Sequence, residues 1–179
     1  MISFIKGFLV EQNDDSVIVD VNGVGFEIIM PPRAMVKLAG RGEIVLLYTH
    51  LQVLENEFKL YGFAEKEDLK LFKLLLGVSG IGPKGAVNVL DVIDPLGFCQ
   101  AIASQDEKLL VKIPGVGKKT ASRLIFELKD KIGSEQFTPI PGGDDNSMDD
   151  VLEALEALGY GRSEIYSLVL EMQARGELN

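Results

Sequence analysis

The sequence predicts a multidomain α+β protein. An N-terminal OB-like β-barrel is followed by a central all-α domain of tandem helix-hairpin-helix units and a small C-terminal helical domain on a flexible linker. Three observations predict this. Short apolar runs separated by turn formers fill the first third of the chain, as strands do. Two copies of a Gly-hydrophobic-Gly-x-Lys pattern then follow, 35 residues apart, each after an amphipathic run. Finally, the stretch Thr138-Pro139-Ile140-Pro141-Gly142-Gly143-Asp144-Asp145-Asn146-Ser147 combines turn formers with paired acids and sets off the remaining chain.

The barrel is expected over residues 1–63. Ile2–Val10 is apolar-rich and stops at Asn13-Asp14-Asp15. Val17, Val19 and Val21 alternate along a second strand, and Asn22-Gly23 suits a two-residue hairpin because both residues tolerate positive φ. Phe26–Met30 gives a third strand, and Pro31-Pro32 opens a helical piece through Leu38. Glu43–His50 and Phe58–Phe63 complete five strands. A helix between the third and fourth strands suits an OB-like barrel, which commonly binds oligonucleotides but here could serve mainly for assembly.

The helical domain is expected over 64–137. Leu69, Phe72, Leu75 and Leu76 form one apolar face ahead of the first turn, Val78-Ser79-Gly80-Ile81-Gly82-Pro83-Lys84. Asp94-Pro95 reads as an N-cap followed by proline at the first helical position. Leu109, Leu110 and Ile113 lead into the second turn, Ile113-Pro114-Gly115-Val116-Gly117-Lys118-Lys119. Ala121, Leu124, Ile125 and Leu128 line the inner face of a helix ending near Gly133. Alone, either turn is an ordinary glycine-capped connection between helices. Repeated, with a lysine after each second glycine, the pair points to binding of nucleic-acid backbone. Glycines let the chain approach a ligand closely, and the helix that follows offers free N–H groups and a positive dipole end to a phosphate.

After the linker, 138–147, residues 148–179 carry two short helical patterns. Val151, Leu152, Leu155 and Leu158 mark the first, stopped by Gly159-Tyr160-Gly161. Ser163 caps a second bearing Ile165, Leu168, Val169 and Met172. Two such helices are small for a core of their own.

The net charge of −9 conceals a division. Residues 1–63 carry 5 basic and 8 acidic side chains, residues 64–133 carry 11 and 9, and residues 134–179 carry 2 and 10. Positive charge is thus concentrated where the glycine turns are, and the local footprint governs DNA attraction more than the overall balance does. No apolar run reaches the roughly 20 residues of a membrane helix, and the N-terminus lacks a signal-peptide layout. One cysteine, Cys99, allows no internal disulfide and suits a reducing cytoplasm; it reads as a small core residue. The one histidine, His50, has no metal-ligating neighbours and reads as structural. Neither a metal nor a cofactor is expected, and the phosphate-binding loop of an ATPase, Gly-x-x-x-x-Gly-Lys-Ser/Thr, does not occur.

From the Gly23-Val24-Gly25-Phe26-Glu27 turn, through Leu60-Tyr61-Gly62-Phe63 and both glycine turns, to Ala157-Leu158-Gly159-Tyr160, the chain resembles the RuvA family. These are the DNA-binding subunits of the bacterial Holliday-junction branch-migration complex. The resemblance implies a homotetramer, or an octamer on DNA, that holds a four-way junction open and square in recombination and repair of DNA damage, including the SOS response. It implies a cytoplasmic, non-catalytic subunit of a helicase complex, with the hexameric AAA+ ATPase motor RuvB and the junction resolvase RuvC as partners. Gly80, Ile81, Gly82, Gly115, Val116 and Gly117 would meet phosphates through their backbone, with Lys84, Lys118, Lys119 and Arg123 adding charge. The family's acidic pin of adjacent carboxylates maps to Leu54-Glu55-Asn56-Glu57-Phe58, where Asn56 interrupts the pair. If that stretch is extended, Glu55 and Glu57 share a face; otherwise they are solvated charges on a turn. Leu155, Leu158, Tyr160 and Leu168 become candidate motor contacts, or else pack within their own domain. The family's third helix there has no counterpart before Asn179, which suggests a shortened chain or one lacking that helix.

Two rivals remain open from sequence alone. The second turn is similar to the hairpin of helix-hairpin-helix DNA glycosylases, but the aspartates beyond it, Asp144 and Asp145, lie in the linker, where attack geometry is not held. A non-selective DNA-binding scaffold is the other.

Overall fold

The computed structural model describes residues 2–134. The expected linker, the C-terminal helices and the motor-contact candidates Leu155, Leu158, Tyr160 and Leu168 lie outside the described residues.

The expected five-stranded barrel is present. Strands β1 (Phe4–Gln12), β2 (Ser16–Val21), β3 (Val24–Ile29), β4 (Ile44–Val53) and β5 (Phe58–Phe63) close in the order β1-β2-β3-β5-β4, with β4 returning to β1. β3 and β5 run parallel, whereas the other neighbours are antiparallel. A parallel pair cannot be joined by a tight turn. Here the chain leaves β3 through helix α1 (Pro32–Met35), runs back along β4 and then lays β5 beside β3. Alternation supplies the core: Ile5 and Leu9, Val17 and Val19, Ile28, Val45, Leu47 and Leu60 point inward, with Met30 and Met35 filling the end.

The hairpin between β2 and β3 turns at Asn22 (φ 53°) and Gly23 (φ 87°), with the Gly23 N–H donating to Asp20 Oδ1 at 2.7 Å. Some boundaries differ from those expected. β1 continues to Gln12 because a bulge between Leu9 and Glu11 lets it keep pairing with β2. β4 runs past His50 to Val53, since its ladder with β5 extends to the pair Val53 and Phe58. α1 stops at Met35, and only single-turn hydrogen bonds carry the chain on to Leu38.

The helices are α2 (Lys66–Leu76), α3 (Pro83–Val92), α4 (Pro95–Ala103), α5 (Glu107–Leu110) and α6 (Lys118–Ser134). Asp94 caps α4 as expected, accepting from the Gly97 N–H at 2.7 Å, and Asp106 caps α5, accepting from the Leu109 N–H at 3.0 Å. The buried face of α2 is Leu71, Phe72 and Leu75; Leu69 and Leu76 flank it and are only partly buried. Leu71 faces inward because α2 packs on two sides, against α3 and against the barrel strands. Ala121, Leu124 and Leu128 line α6 as expected, with Ile125 at the margin, and Cys99 is buried.

Barrel and helices share a hydrophobic seam. Phe72 stacks 5.2 Å from Tyr61 and 5.0 Å from Phe63, while His50 meets its edge at 5.5 Å. Across the same seam Asp91 Oδ1 on α3 accepts the Arg33 N–H at 2.8 Å, satisfying a free donor at the start of α1. The helical turns are therefore held in a fixed relation to the barrel.

Candidate nucleic-acid interface

The two glycine turns are copies of one another down to single hydrogen bonds. In the first, Val78 N–H donates to Leu75 O at 3.0 Å, Ile81 N–H to Val78 O at 3.1 Å and Ala86 N–H to Gly82 O at 3.0 Å. In the second, 35 residues on, Ile113 N–H donates to Leu110 O at 3.2 Å, Val116 N–H to Ile113 O at 3.0 Å and Ala121 N–H to Gly117 O at 2.9 Å. The first glycine of each pair needs its missing Cβ for conformation: Gly80 has φ +92° and Gly115 φ +86°, where other residues are strained.

The second glycine of each pair serves differently. Gly82 has φ −95° and ψ 178°, ordinary extended backbone that any residue adopts. A Cβ built on Gly82 or on Gly117 would meet nothing within 4 Å. Each faces open space at the start of a helix. At α3 no side chain caps that start, in contrast to the aspartates that close α4 and α5. Helix ends left open by glycine keep their N–H groups and positive dipole for an external anion, whereas an aspartate there would repel one. Lys84 and Lys119 occupy the same second helical position in α3 and α6, and Lys118 matches Pro83 at the first. All three lysines are exposed.

Ile81 and Val116, placed by sequence among the contact residues, turn their side chains inward and are 8% and 5% exposed. They anchor the turns in the helical core, so only their backbone is available to a ligand. Arg123 is engaged within the protein. Its Nη1 donates to both the carbonyl and Oγ of Ser79 at 3.0 Å, and its Nε lies 3.7 Å from Glu127 Oε1. Asn88, which sequence reasoning missed, donates from Nδ2 to the Pro114 carbonyl at 3.2 Å. A signal was available: Asn88 and Arg123 stand 35 residues apart, as the turns do.

The stretch Leu54–Glu57 is not extended. β4 ends at Val53, β5 starts at Phe58, and the chain bends between them with Leu54 N–H donating to Glu57 O at 2.9 Å. Strand alternation therefore does not place Glu55 and Glu57 on one face. Glu55 is exposed at the bend, while the Glu57 carboxylate lies 2.9 Å from Lys59 Nζ. That pairing holds the Lys59 ammonium above its usual pKa, chiefly through the hydrogen bond and then the charge of Glu57.

Away from the turns, His50 is held below its ordinary pKa by burial and by Lys73. Among the described residues no single helix is long and apolar enough to cross a membrane.

Comparison with known proteins adds a second line. A family profile described as the RuvA N terminal domain matches residues 1–62, and one described as a SAM-like helix-hairpin-helix tandem matches residues 72–130. The chain is 52% identical over 178 residues to the Holliday junction branch migration complex subunit RuvA of Syntrophomonas wolfei, covering 99% of this chain and 89% of the relative. It is 46% identical over 169 residues to the protein of that name in Caldanaerobacter subterraneus subsp. tengcongensis, covering 94% and 89%. Against the one in Dehalococcoides mccartyi it is 40% identical over 178 residues, covering 99% and 92%.

Proposed function

The chain belongs to the RuvA family, and from that premise we propose how its residues serve a Holliday junction branch-migration complex. It is the non-catalytic, DNA-binding subunit of that complex, acting on four-way junctions together with a partner subunit. The observation that carries this is the pair of matched glycine turns, each opening a helix with a lysine at the same position. Two such turns present two sets of backbone N–H groups to the sugar-phosphate chain. None of these groups reads base edges, as a protein acting at any junction requires.

Within this reading Gly80, Gly82, Gly115 and Gly117 bring backbone to phosphate, and Lys84, Lys118 and Lys119 supply charge. Glu55 faces the junction centre on the β4–β5 bend and repels strands there. Glu57 contributes less, because Lys59 offsets its charge. The protein works in the cytoplasm as a homotetramer. On the outer face of β1 and β4, Phe4, Phe8, Ile44 and Leu46 are between 41% and 58% exposed, and Phe8 pairs with Ile44 across the ladder. This apolar surface, in which Lys6 opposite Leu46 is the charged member, supports assembly through the barrel. The motor RuvB is met through the C-terminal segment, with Leu155, Leu158, Tyr160 and Leu168 as contacts, and RuvC joins the assembled junction.

Competition between a synthetic four-way junction and plain duplex at fixed salt tests the reading; equal affinity rejects it. Light-scattering mass with and without the junction tests the tetramer and separates it from an octamer. Deleting residues from Asp144 onward leaves junction binding intact and abolishes stimulation of the motor if the C-terminal assignment is right; lost DNA binding overturns that assignment.

A further inference from the structure

Asn88 and Arg123 each reach out of one hairpin into the other. Arg123, on the helix that follows the second turn, holds the carbonyl of Ser79 in the first. Asn88, on the helix that follows the first turn, holds the carbonyl of Pro114 in the second. Both the donors and the acceptors are related by the same 35-residue offset, so the two contacts are counterparts. Each accepted carbonyl belongs to the residue immediately before a glycine of positive φ. Each donor also lies against that glycine: a Cβ on Gly80 would sit 3.9 Å from Arg123 Nη1, and one on Gly115 would sit 3.9 Å from Asn88 Nδ2.

The consequence follows from peptide geometry. In a planar trans peptide the C=O and N–H point in opposite directions. Fixing the Ser79 carbonyl therefore fixes the direction of the Gly80 N–H, turned away from the brace, and fixing Pro114 does the same for Gly115. Without a brace these planes rotate about ψ of Ser79 or Pro114 and φ of the glycine, and glycine φ is soft. We propose that Asn88 and Arg123 are reciprocal positioning residues, each setting the peptide plane of the opposite turn so that both turns engage DNA as one rigid unit. This rests on the reading that the turns meet phosphate. It assigns Arg123 a task beyond the charge it shares with Lys84, Lys118 and Lys119, since its Nη1 is bound to both Ser79 oxygens and its Nε lies 3.7 Å from Glu127.

The test uses the full chain and begins without DNA. Amide hydrogen exchange is measured for Asn88→Ala, Arg123→Ala and Arg123→Lys, with thermal melts to verify a cooperative fold. Losing one net hydrogen bond predicts exchange faster by about 2- to 10-fold. The crossed pattern is the signature: Asn88→Ala speeds residues 113–119 and spares 78–84, whereas Arg123→Ala does the reverse. Should Arg123→Ala unfold, Arg123→Lys carries the test, because lysine keeps the charge but its single nitrogen cannot meet Ser79 and Glu127 together, as Nη1 and Nε of the guanidinium do. Junction titrations then show Asn88→Ala binding about 2- to 10-fold more weakly although no charge is lost, and Arg123→Lys failing to restore native affinity. Exchange that changes only in the turn adjoining the mutated helix, or nowhere, overturns the proposal, as does native affinity in Arg123→Lys. Crossed exchange in a protein that shows no junction preference would instead keep the brace and reject the DNA reading.

Discussion

Replacing Gly82 with alanine separates what the turn needs to fold from what it needs to bind. The backbone there, φ −95° and ψ 178°, accepts any residue, and the added methyl meets no protein atom within 4 Å. Alanine restricts the unfolded chain, a gain of about 0.4–1 kcal/mol. As an N-cap it is poorer than glycine by about the same amount. Stability should thus stay within roughly 0.5 kcal/mol of native. Binding should not. The methyl projects into the open side of the helix start, where the phosphate is proposed to sit. Losing one charge-assisted N–H contact there costs about 1.5–3 kcal/mol, or about 10- to 150-fold in affinity. A melt and a junction titration at fixed salt measure both quantities on one preparation. Native affinity in a folded Gly82→Ala variant refutes the phosphate position, and a large fall in melting temperature refutes the claim that the space is open. Gly80→Ala is the internal contrast, because φ +92° imposes strain of about 1–2 kcal/mol on the turn itself.

Gly115→Val places a β-branched residue at φ +86°, so both turn stability and junction affinity fall; a folded variant with native affinity contradicts the assignment. Lys118→Ala with Lys119→Ala weakens binding to every sequence alike and lowers the slope of log affinity against log salt by about 1–2; an unchanged slope removes these lysines from the interface. Asp68 provides a pH test. Burial, the largest influence, pushes its carboxyl up to about 6 from its ordinary 3.8, against the attraction of Arg33. The folded state therefore holds the proton more tightly than the unfolded chain, and this stabilisation is full below about 3.8 and lost as pH rises through about 6. Asp68→Asn stays neutral and escapes that loss. Discounted for solvent screening to the order of 1 kcal/mol, this raises the melting temperature by about 2–4 °C at pH 8, with the difference vanishing near pH 4 in melts of both proteins; a gain independent of pH rejects burial as the cause.

The glycine pairs, the Asp94 cap, the Asn22-Gly23 hairpin and the alternation of Val17 and Val19 were legible from sequence because each rests on backbone geometry or bonds spanning a few residues. The repeat was legible too, since a 35-residue offset survives in residue identity. Other features depend on partners far along the chain. Whether Leu71 or Leu69 faces the core is set by the barrel strands lying beside α2, and the length of β4 by how far β5 continues opposite it. Glu57 is paired with Lys59 because the chain bends at 54–57 instead of extending. Arg123 carries the same formal charge as its lysine neighbours. Only the tertiary fold, which brings the start of α6 beside the first turn, sets that guanidinium on a carbonyl 44 positions away. Local chemistry thus fixed which residues form the turns, while the crossing of two hairpins decided which side chains brace them, because such bonds exist only once distant segments meet.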